Sequence, residues 1–199
     1  ELLINKSTIA SNISTSEHGG GIYSDGNLVL ENVTLCLNSA NNGDGGGIYN
    51  IDNSDSMIIN CTFFDNTANY GGGIINKDSS PTIKNSIFWF NSAFGVGDEI
   101  INEGVSSPSV SWCIIRGGYS SGTNIITEDP ELQPLAYNGS ETQTLAIPSN
   151  SPAYCIPERA GVGTWNGAPD TDQRGMDRTT NGFREIGRAS CRERVCVGV

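Results

Sequence analysis

The chain has 199 residues, enough for one domain with a sizeable core, and a formal net charge of −11 with only 3 lysines. That charge repels phosphate backbones and anionic lipid, so nucleic acid and membrane surfaces are set aside as partners, while divalent cations remain compatible. Asn (21), Ser (22) and Gly (25) are too abundant for a helical protein, and short regular runs of Ile, Leu, Val and Phe argue for a folded β protein over disorder. No run of 18 apolar residues occurs, so no membrane-spanning helix is expected.

The first apolar run, "ELLINKSTIASN", already lies inside a repeat, and no leader-like segment precedes it. The chain is therefore expected to be the C-terminal part of a longer protein. Glycine clusters then recur with a step of 26 residues: "GGGIYS" from Gly19, "GGGIYN" from Gly45 and "GGGIIN" from Gly71. "GDEIIN" from Gly97 keeps the register, and "TNIIT" (Thr123 to Thr127) is a weaker echo. Ile22, Ile48, Ile74 and Ile100 thus fall in one column. A second column holds apolar runs ending at Asn12, Asn38, Asn66 and Asn91, and a third holds runs ending at Asn5, Asn32, Asn60 and Asn85.

Each unit contains three short runs rich in β-branched and aromatic residues, too short for helices. Leucine-rich repeats would need a Leu ladder, and propeller blades are longer, at about 40–50 residues. The pattern predicts an all-β parallel β-helix of about five turns, about 26 residues each, over residues 1–127. At about 4.8 Å per layer the rod is about 24 Å long. Ile48 is expected to stack inward on Ile22 and Ile74, with Tyr49 on the outside. The asparagines are expected at bends, either joined amide to amide between layers or acting as ordinary turn residues. The glycines supply positive φ or close backbone approach.

The GGGI clusters, together with "FFDN" (Phe63 to Asn66) and "FWFN" (Phe88 to Asn91), resemble the polymorphic outer membrane protein repeat of bacterial β-helix proteins, a likeness that implies a right-handed parallel β-helix. "IASN" and "LCLN" keep the Asn with an aliphatic residue in place of Phe. Residues 128–187 leave the period and contain Pro130, Pro134, Pro148 and Pro152, which cannot donate to a ladder. They are expected to form an irregular C-terminal cap across the end or side of the solenoid, with Leu132, Leu135, Leu145 and Ile147 covering its last turn. "DPELQPL" (Asp129 to Leu135), "NGSETQT" (Asn138 to Thr144), "SPA" (Ser151 to Ala153), "TDQRG" (Thr171 to Gly175) and "REIG" (Arg184 to Gly187) resemble the choice-of-anchor Q module of bacterial surface proteins. That resemblance implies a secreted or surface-displayed bacterial protein. "IGRASCRERV" is similar to translated sequencing-adapter sequence, so residues 188–199 are expected to be a non-native or disordered tail that packs on nothing.

Of six cysteines, Cys191 and Cys196 lie in that tail. Cys61 and Cys113 are two turns apart, about 9.6 Å, beyond the reach of a disulfide. The repeat cysteines are expected to be small buried hydrophobes, with a Cys113–Cys155 bridge as the alternative. The glycines do not form a phosphate loop, because no GxxxxGK[ST] and no following helix are present. Asp44, Asp98 and Glu99 near the glycine corners are candidate ligands for Ca²⁺, or solvated loop acids. His18 beside a corner is expected to be exposed, and Arg174 to pin the cap through Asp172 and Asp177. Tyr23, Tyr49 and Trp89 are candidate glycan-stacking residues, or lateral packing. With Lys77, Lys84 and Arg116 the sole bases in turns two to five, a lyase base is poorly supplied. The expected function is a non-catalytic scaffold or adhesin-like stalk, monomeric, meeting glycans or other surface proteins. The alternative is a carbohydrate-active enzyme whose cleft lies partly in further N-terminal turns.

Overall fold

The computed structural model describes residues 1–52, 54–153, 156–157, 171–175 and 183–184. The first coil holds strands β1 (Leu2–Asn5), β2 (Thr8–Ala10), β3 (Ile13–Ser14) and β4 (Ile22–Ser24). The second holds β5 (Leu28–Glu31), β6 (Thr34–Cys36), β7 (Ser39–Ala40) and β8 (Ile48–Ile51). The third holds β9 (Met57–Ile59), β10 (Thr62–Phe64), β11 (Thr67–Ala68) and β12 (Ile74–Lys77). The fourth holds β13 (Thr82–Lys84), β14 (Ile87–Trp89), β15 (Ser92–Ala93) and β16 (Ile100–Glu103). A partial fifth coil adds only β17 (Ser109–Ser111) and β18 (Ile114–Ile115). Each strand pairs in parallel with its counterpart one coil away, so four sheets run the length of a parallel β-helix: A (β1-β5-β9-β13-β17), B (β2-β6-β10-β14-β18), C (β3-β7-β11-β15) and D (β4-β8-β12-β16).

Three expectations are corrected here. Each complete coil has four strands: a two-residue strand follows each bend asparagine, Ile13–Ser14 in the first coil and pairs of Ser or Thr with Ala in the next three, too short to register as apolar runs. The solenoid has four complete coils rather than five. After Ile115 the chain turns at Gly117 and Gly118, both at positive φ, and skips sheets C and D. "TNIIT" therefore does not continue the Ile100 column: Thr123 bridges Ser111 and Ile126 bridges Ile114, on sheets A and B. Finally, Asn5 pairs with Glu31, so the place aligned with Asn32 belongs to Lys6.

One left-handed residue stands at every corner but the first between sheets D and A. Between A and B these are Lys6, Asn32, Asn60, Asn85 and Trp112; between B and C, Ser11, Leu37, Asp65 and Phe90; between C and D, Gly19, Gly45, Gly71 and Gly97; between D and A, Asp52, Asp78 and Gly104. Glycine fits this conformation without a Cβ penalty. Leu37, Phe90 and Trp112 do not, and each is held at about 1–2 kcal/mol of local cost by the coils stacked around it.

The interior is a column of aliphatic layers. Ile22, Ile48, Ile74 and Ile100 pair in register on sheet D, opposite Leu35, Phe63 and Phe88 of sheet B. Phe63 and Phe88 stack at 4.5 Å with 6° between ring planes. Two side-chain amide ladders run beside this core. Asn12 Nδ2 donates to Asn38 Oδ1 at 2.9 Å, Asn38 Nδ2 to Asn66 Oδ1 at 2.9 Å, and Asn66 Nδ2 to Asn91 Oδ1 at 2.8 Å. Each accepting oxygen also takes the backbone N–H of the preceding asparagine, and each inner amide also donates to a backbone carbonyl one coil back, of Ile9, Leu35 or Phe63. Both Asn38 and Asn66 thus spend all their hydrogen-bonding capacity at zero exposure. The second ladder runs from Asn50 to Asn76 to Asn102 and ends on the Tyr119 hydroxyl.

The C-terminal segment covers a side of the rod. β19 (Leu135–Ala136) and β20 (Thr144–Leu145) form an antiparallel hairpin. Leu132, Ile147 and Ala153 pack on the outward residues of sheet B, Phe64, Ile87, Trp89 and Ile114. Gln173 reaches the first two coils, accepting from Thr34 Oγ1 at 3.0 Å and donating to Thr8 Oγ1 at 3.1 Å and Thr142 Oγ1 at 2.8 Å. Arg174 binds the Asp172 carboxylate at 2.8 Å, as expected, and both are nearly buried. The end of the last coil is met instead by Tyr119 and Ile125, which pack against the main core. Ile156–Pro157 (β21) and Phe183–Arg184 (β22) form a further antiparallel pair. Cys36, Cys61 and Cys113 are free and buried. Asp177, Cys155, most of "REIG" and residues 188–199 lie outside the described residues.

Replacing Asn66 by Ala strands the Asn38 backbone N–H and one Asn38 amide hydrogen in the interior and leaves the Asn91 oxygen with the backbone N–H of residue 66 alone, so it should cost about 3 kcal/mol by urea denaturation. The same change at Asn12, at the exposed end of the ladder, should cost under about 1 kcal/mol. Gln173→Ala should speed amide exchange across residues 142–145 relative to the solenoid, with a loss of about 1–3 kcal/mol in global stability.

Candidate functional site

The corner between sheets C and D concentrates the titratable and aromatic groups. In the second coil Gly45 carries φ +71°, and a Cβ on Gly46 would lie 2.4 Å from the Gly72 carbonyl oxygen of the next coil. The backbones approach too closely for any side chain there. The chain leaves this corner into β8, sending Ile48 inward and Tyr49 outward.

Tyr49 does not present a face to solvent. It is only 2 % exposed, because His18 stacks on it at 4.3 Å and Tyr23 at 5.4 Å. Tyr23 is the accessible ring, 52 % exposed, at the first-coil end of the row. Ile75 and Ile101 continue that row along sheet D. His18 is half-buried, and its Nδ1 accepts the Asp44 backbone N–H at 3.0 Å. Asp44 Oδ2 stands 3.3 Å from the same nitrogen. Burial first, and then Asp44, Tyr23, Glu103 and Asp52, raise the Tyr49 hydroxyl above its ordinary pKa, so it stays protonated and is no base at neutral pH.

Trp89 lies on a different sheet. It projects outward from sheet B, packs with Ile87, Ile114, Ile147 and Ala153, and is 7 % exposed. Its indole Nε1 has no acceptor among the described residues. Tyr23, Tyr49 and Trp89 therefore form no common platform; Tyr23 and Tyr49 stack, and Trp89 supports the C-terminal segment.

Asp44, Asp98 and Glu99 are not brought together either. Asp44 belongs to the second coil and the other two to the fourth. Asp98 Oδ1 accepts the Ala93 N–H at 2.9 Å. Glu99 turns inward and is 5 % exposed. No group of three or more His, Cys, Asp or Glu among the described residues is arranged to hold a metal ion.

Glu99 has a structural explanation that the sequence pattern hid. It occupies the place of Gly47 and Gly73, just before the column isoleucine. A Cβ on Gly73 would lie 2.3 Å from the Glu99 carbonyl oxygen of the next coil, so glycine is required there. Sheet D has no fifth strand above Glu99, so a side chain is admitted. Its carboxylate folds onto the end of the asparagine ladder, where Asn91 Nδ2 donates to Oε2 at 2.5 Å. Oε1 has no partner among the described residues and is buried. Burial raises the Glu99 pKa to about 7, against the lowering effects of the Asn91 bond and Arg116, with Asp98 adding to the rise.

Two further features were missed in the sequence. Arg116 lies 5.3 Å over the Phe90 ring, an arrangement that depends on the left-handed Phe90 corner. An apolar cavity of about 310 Å³ opens between sheet B and the hairpin, lined by Cys36, Leu37, Phe64, Leu132, Pro134 and Leu145. Burial pushes the Cys36, Cys61 and Cys113 thiols up to about 12, so they are protonated and poor nucleophiles.

No protein-family model, curated protein or solved structure matches the chain.

Glu99 makes stability fall with pH. Its folded pKa of about 7 exceeds the ordinary 4.5, so the native state holds the extra proton between these values. Stability should decline as pH rises from 4.5 to about 7 and then level, by at most about 3 kcal/mol. Glu99→Gln should flatten this slope in urea titrations run at pH 5, 6, 7 and 8, and should exceed the parent in stability at pH 8. Parallel curves for the two proteins would assign the buried carboxyl no part in the pH dependence.

Proposed function

We propose that this chain is a non-catalytic β-helix scaffold, an adhesin-like stalk of a secreted or surface-displayed bacterial protein. The observation that carries the reading is the bracing of the rod. The flank with the most apolar outward residues, sheet B, is occupied by the protein's own C-terminal segment, which is tied by Gln173 to the first two coils. A braced flank and two continuous amide ladders suit a rigid spacer. The sheet C flank adds a row in which exposed Ile13 is followed by the hydroxyls of Ser39, Thr67 and Ser92, with Thr67 Oγ1 donating to Ser39 Oγ at 2.9 Å.

The likeness to the polymorphic outer membrane protein repeat rests on the GGGI and FxxN elements, and the likeness to a choice-of-anchor module on "DPELQPL" and "TDQRG". Both support surface display. In this reading the stalk is a monomer and meets glycans or other surface proteins, and Tyr23 is the ring that a sugar would stack on. Calcium enters as a surface counterion of an acidic protein, with Asp44 and Asp98 as the acids at the corners.

A screen against acidic and neutral polysaccharides should yield neither new reducing ends nor unsaturated products. Turnover of any of them would replace the scaffold by a carbohydrate-active enzyme. On a glycan array, Tyr23→Ala should weaken whatever sugar binding the parent displays by about tenfold, the scale of one stacked ring.

A further inference from the structure

The cavity beneath the C-terminal segment has a definite cause. An outward row of sheet B runs through Ala10, Cys36, Phe64 and Trp89, one residue per coil. Phe64 and Trp89 are large and Ala10 and Cys36 small, yet the segment lies over all four coils. It does not sink onto the small residues, because it is fastened on both sides of them. The Thr8 hydroxyl donates to the Gln143 carbonyl over the first coil, and Leu132 joins the apolar cluster of Phe64 and Trp89 over the third and fourth. The space left over the second coil is the cavity of about 310 Å³, walled by Cys36, Phe64, Leu132, Leu135 and Leu145.

The mouth of this cavity offers acceptors. Leu37, Gln133 and Pro134 border it, all three exposed. Gln133 spends its amide nitrogen on the Glu131 carbonyl at 2.9 Å, which leaves the side-chain oxygen to accept. Asp65 follows Phe64 of the wall and holds the left-handed corner position that Leu37 holds one coil earlier. Its carboxylate is exposed and makes no ion pair among the described residues. That charge is felt inside the cavity: burial first, and then Asp65, push the Cys36 thiol up to about 12. Arg116 stays over Phe90 at the following corner, and Arg174 is paired with Asp172.

We propose that this cavity is a binding site for a small arylalkyl amine, its ring inside and its ammonium at the mouth on Asp65 and the Gln133 oxygen. A cavity of about 150 Å³ already holds benzene, so this one takes a ring with a short chain. Phe64 and the Cys36 sulfur favour an aromatic body, through ring–ring and sulfur–ring contacts. A carboxylate and an amide oxygen at the mouth select a cation, and so does a formal net charge of −11. The site lies between the rod and its brace, so it stands whether the rod is a stalk or an enzyme.

The test titrates the full chain with three probes of similar shape, phenethylamine, 2-phenylethanol and 3-phenylpropionate, read by NMR of leucine and isoleucine methyl groups. Phenethylamine should bind with a Kd of about 1 mM or tighter. It should shift the methyls of Leu37, Leu132, Leu135 and Leu145 and leave those of Ile48 and Ile74, in the interior, unmoved. The alcohol should bind about fivefold more weakly, and the carboxylate more weakly still. Asp65→Asn should bring the amine down to the level of the alcohol. Cys36→Phe repeats Phe64 one coil earlier and fills the cavity, so it should abolish binding of all three. Its unshifted Ile48 and Ile74 methyls would show that it folds; if it does not, the methyl map of the parent and Asp65→Asn decide the matter. Absence of shifts at the four leucines overturns the proposal, as does binding that survives in a folded Cys36→Phe. Carboxylate binding as tight as that of the amine, or an amine preference that persists in Asp65→Asn, overturns it equally.

Discussion

The structure depends on one requirement: a chain that bends sharply inward every few residues must still satisfy the polar groups it buries there. An unsatisfied buried amide costs about 1–3 kcal/mol, and the B-to-C bend would bury a backbone N–H and a carbonyl in every coil. An asparagine side chain resolves both, because its oxygen accepts and its amide donates between layers. Once one coil solves the problem with Asn38, the coils on either side must present Asn12 and Asn66 at the same place. The ladder therefore fixes the register of the whole solenoid more tightly than its apolar column does, since an aliphatic layer tolerates sliding and a hydrogen-bonded amide does not.

That register is held by geometry and not by counting. Sheet D keeps a step of 26 residues from Ile48 to Ile74 to Ile100. On sheet B the step is 28 residues from Leu35 to Phe63 and 25 from Phe63 to Phe88. The loops on either side of β8 and β12 absorb the difference, and the amide ladder runs through it unbroken. The same logic explains where the repeat is allowed to change. A glycine is compulsory while another coil's carbonyl lies over it, and Glu99 appears at the one layer where no strand follows on sheet D. What reads as decay of the GGGI motif at "GDEI" is the end condition of the repeat.

Much of this was legible in the sequence, and the parts that were not share a cause. The parallel β-helix, the inward isoleucine column and the amide ladder all follow from residues that recur at matching places. The fourth sheet did not register, because Ser39–Ala40 and Thr67–Ala68 carry no apolar signal. "TNIIT" misled because two isoleucines match by composition while the chain has already cut the corner at Gly117 and Gly118. The candidate site fared least well. Whether Tyr49 or Trp89 is covered depends on His18 and on Ile147 and Ala153, and neither spacing nor periodicity reports which distant segment lies over a strand.

Sheet B shows how the two parts of the chain are matched. Its outward rows change along the rod, from Thr8 and Thr34 in the first two coils to Ile87, Trp89 and Ile114 in the last. The segment that lies on it changes in step, with Gln143 and Gln173 over the threonines and Leu132, Ile147 and Ala153 over the isoleucines. A repeat under no such constraint would have kept one residue type per row, as the inward isoleucines do. The gradient thus records a specific, directional fit, in which hydroxyl-to-amide bonds at one end complement apolar burial at the other. It ties the non-repeating segment to this flank.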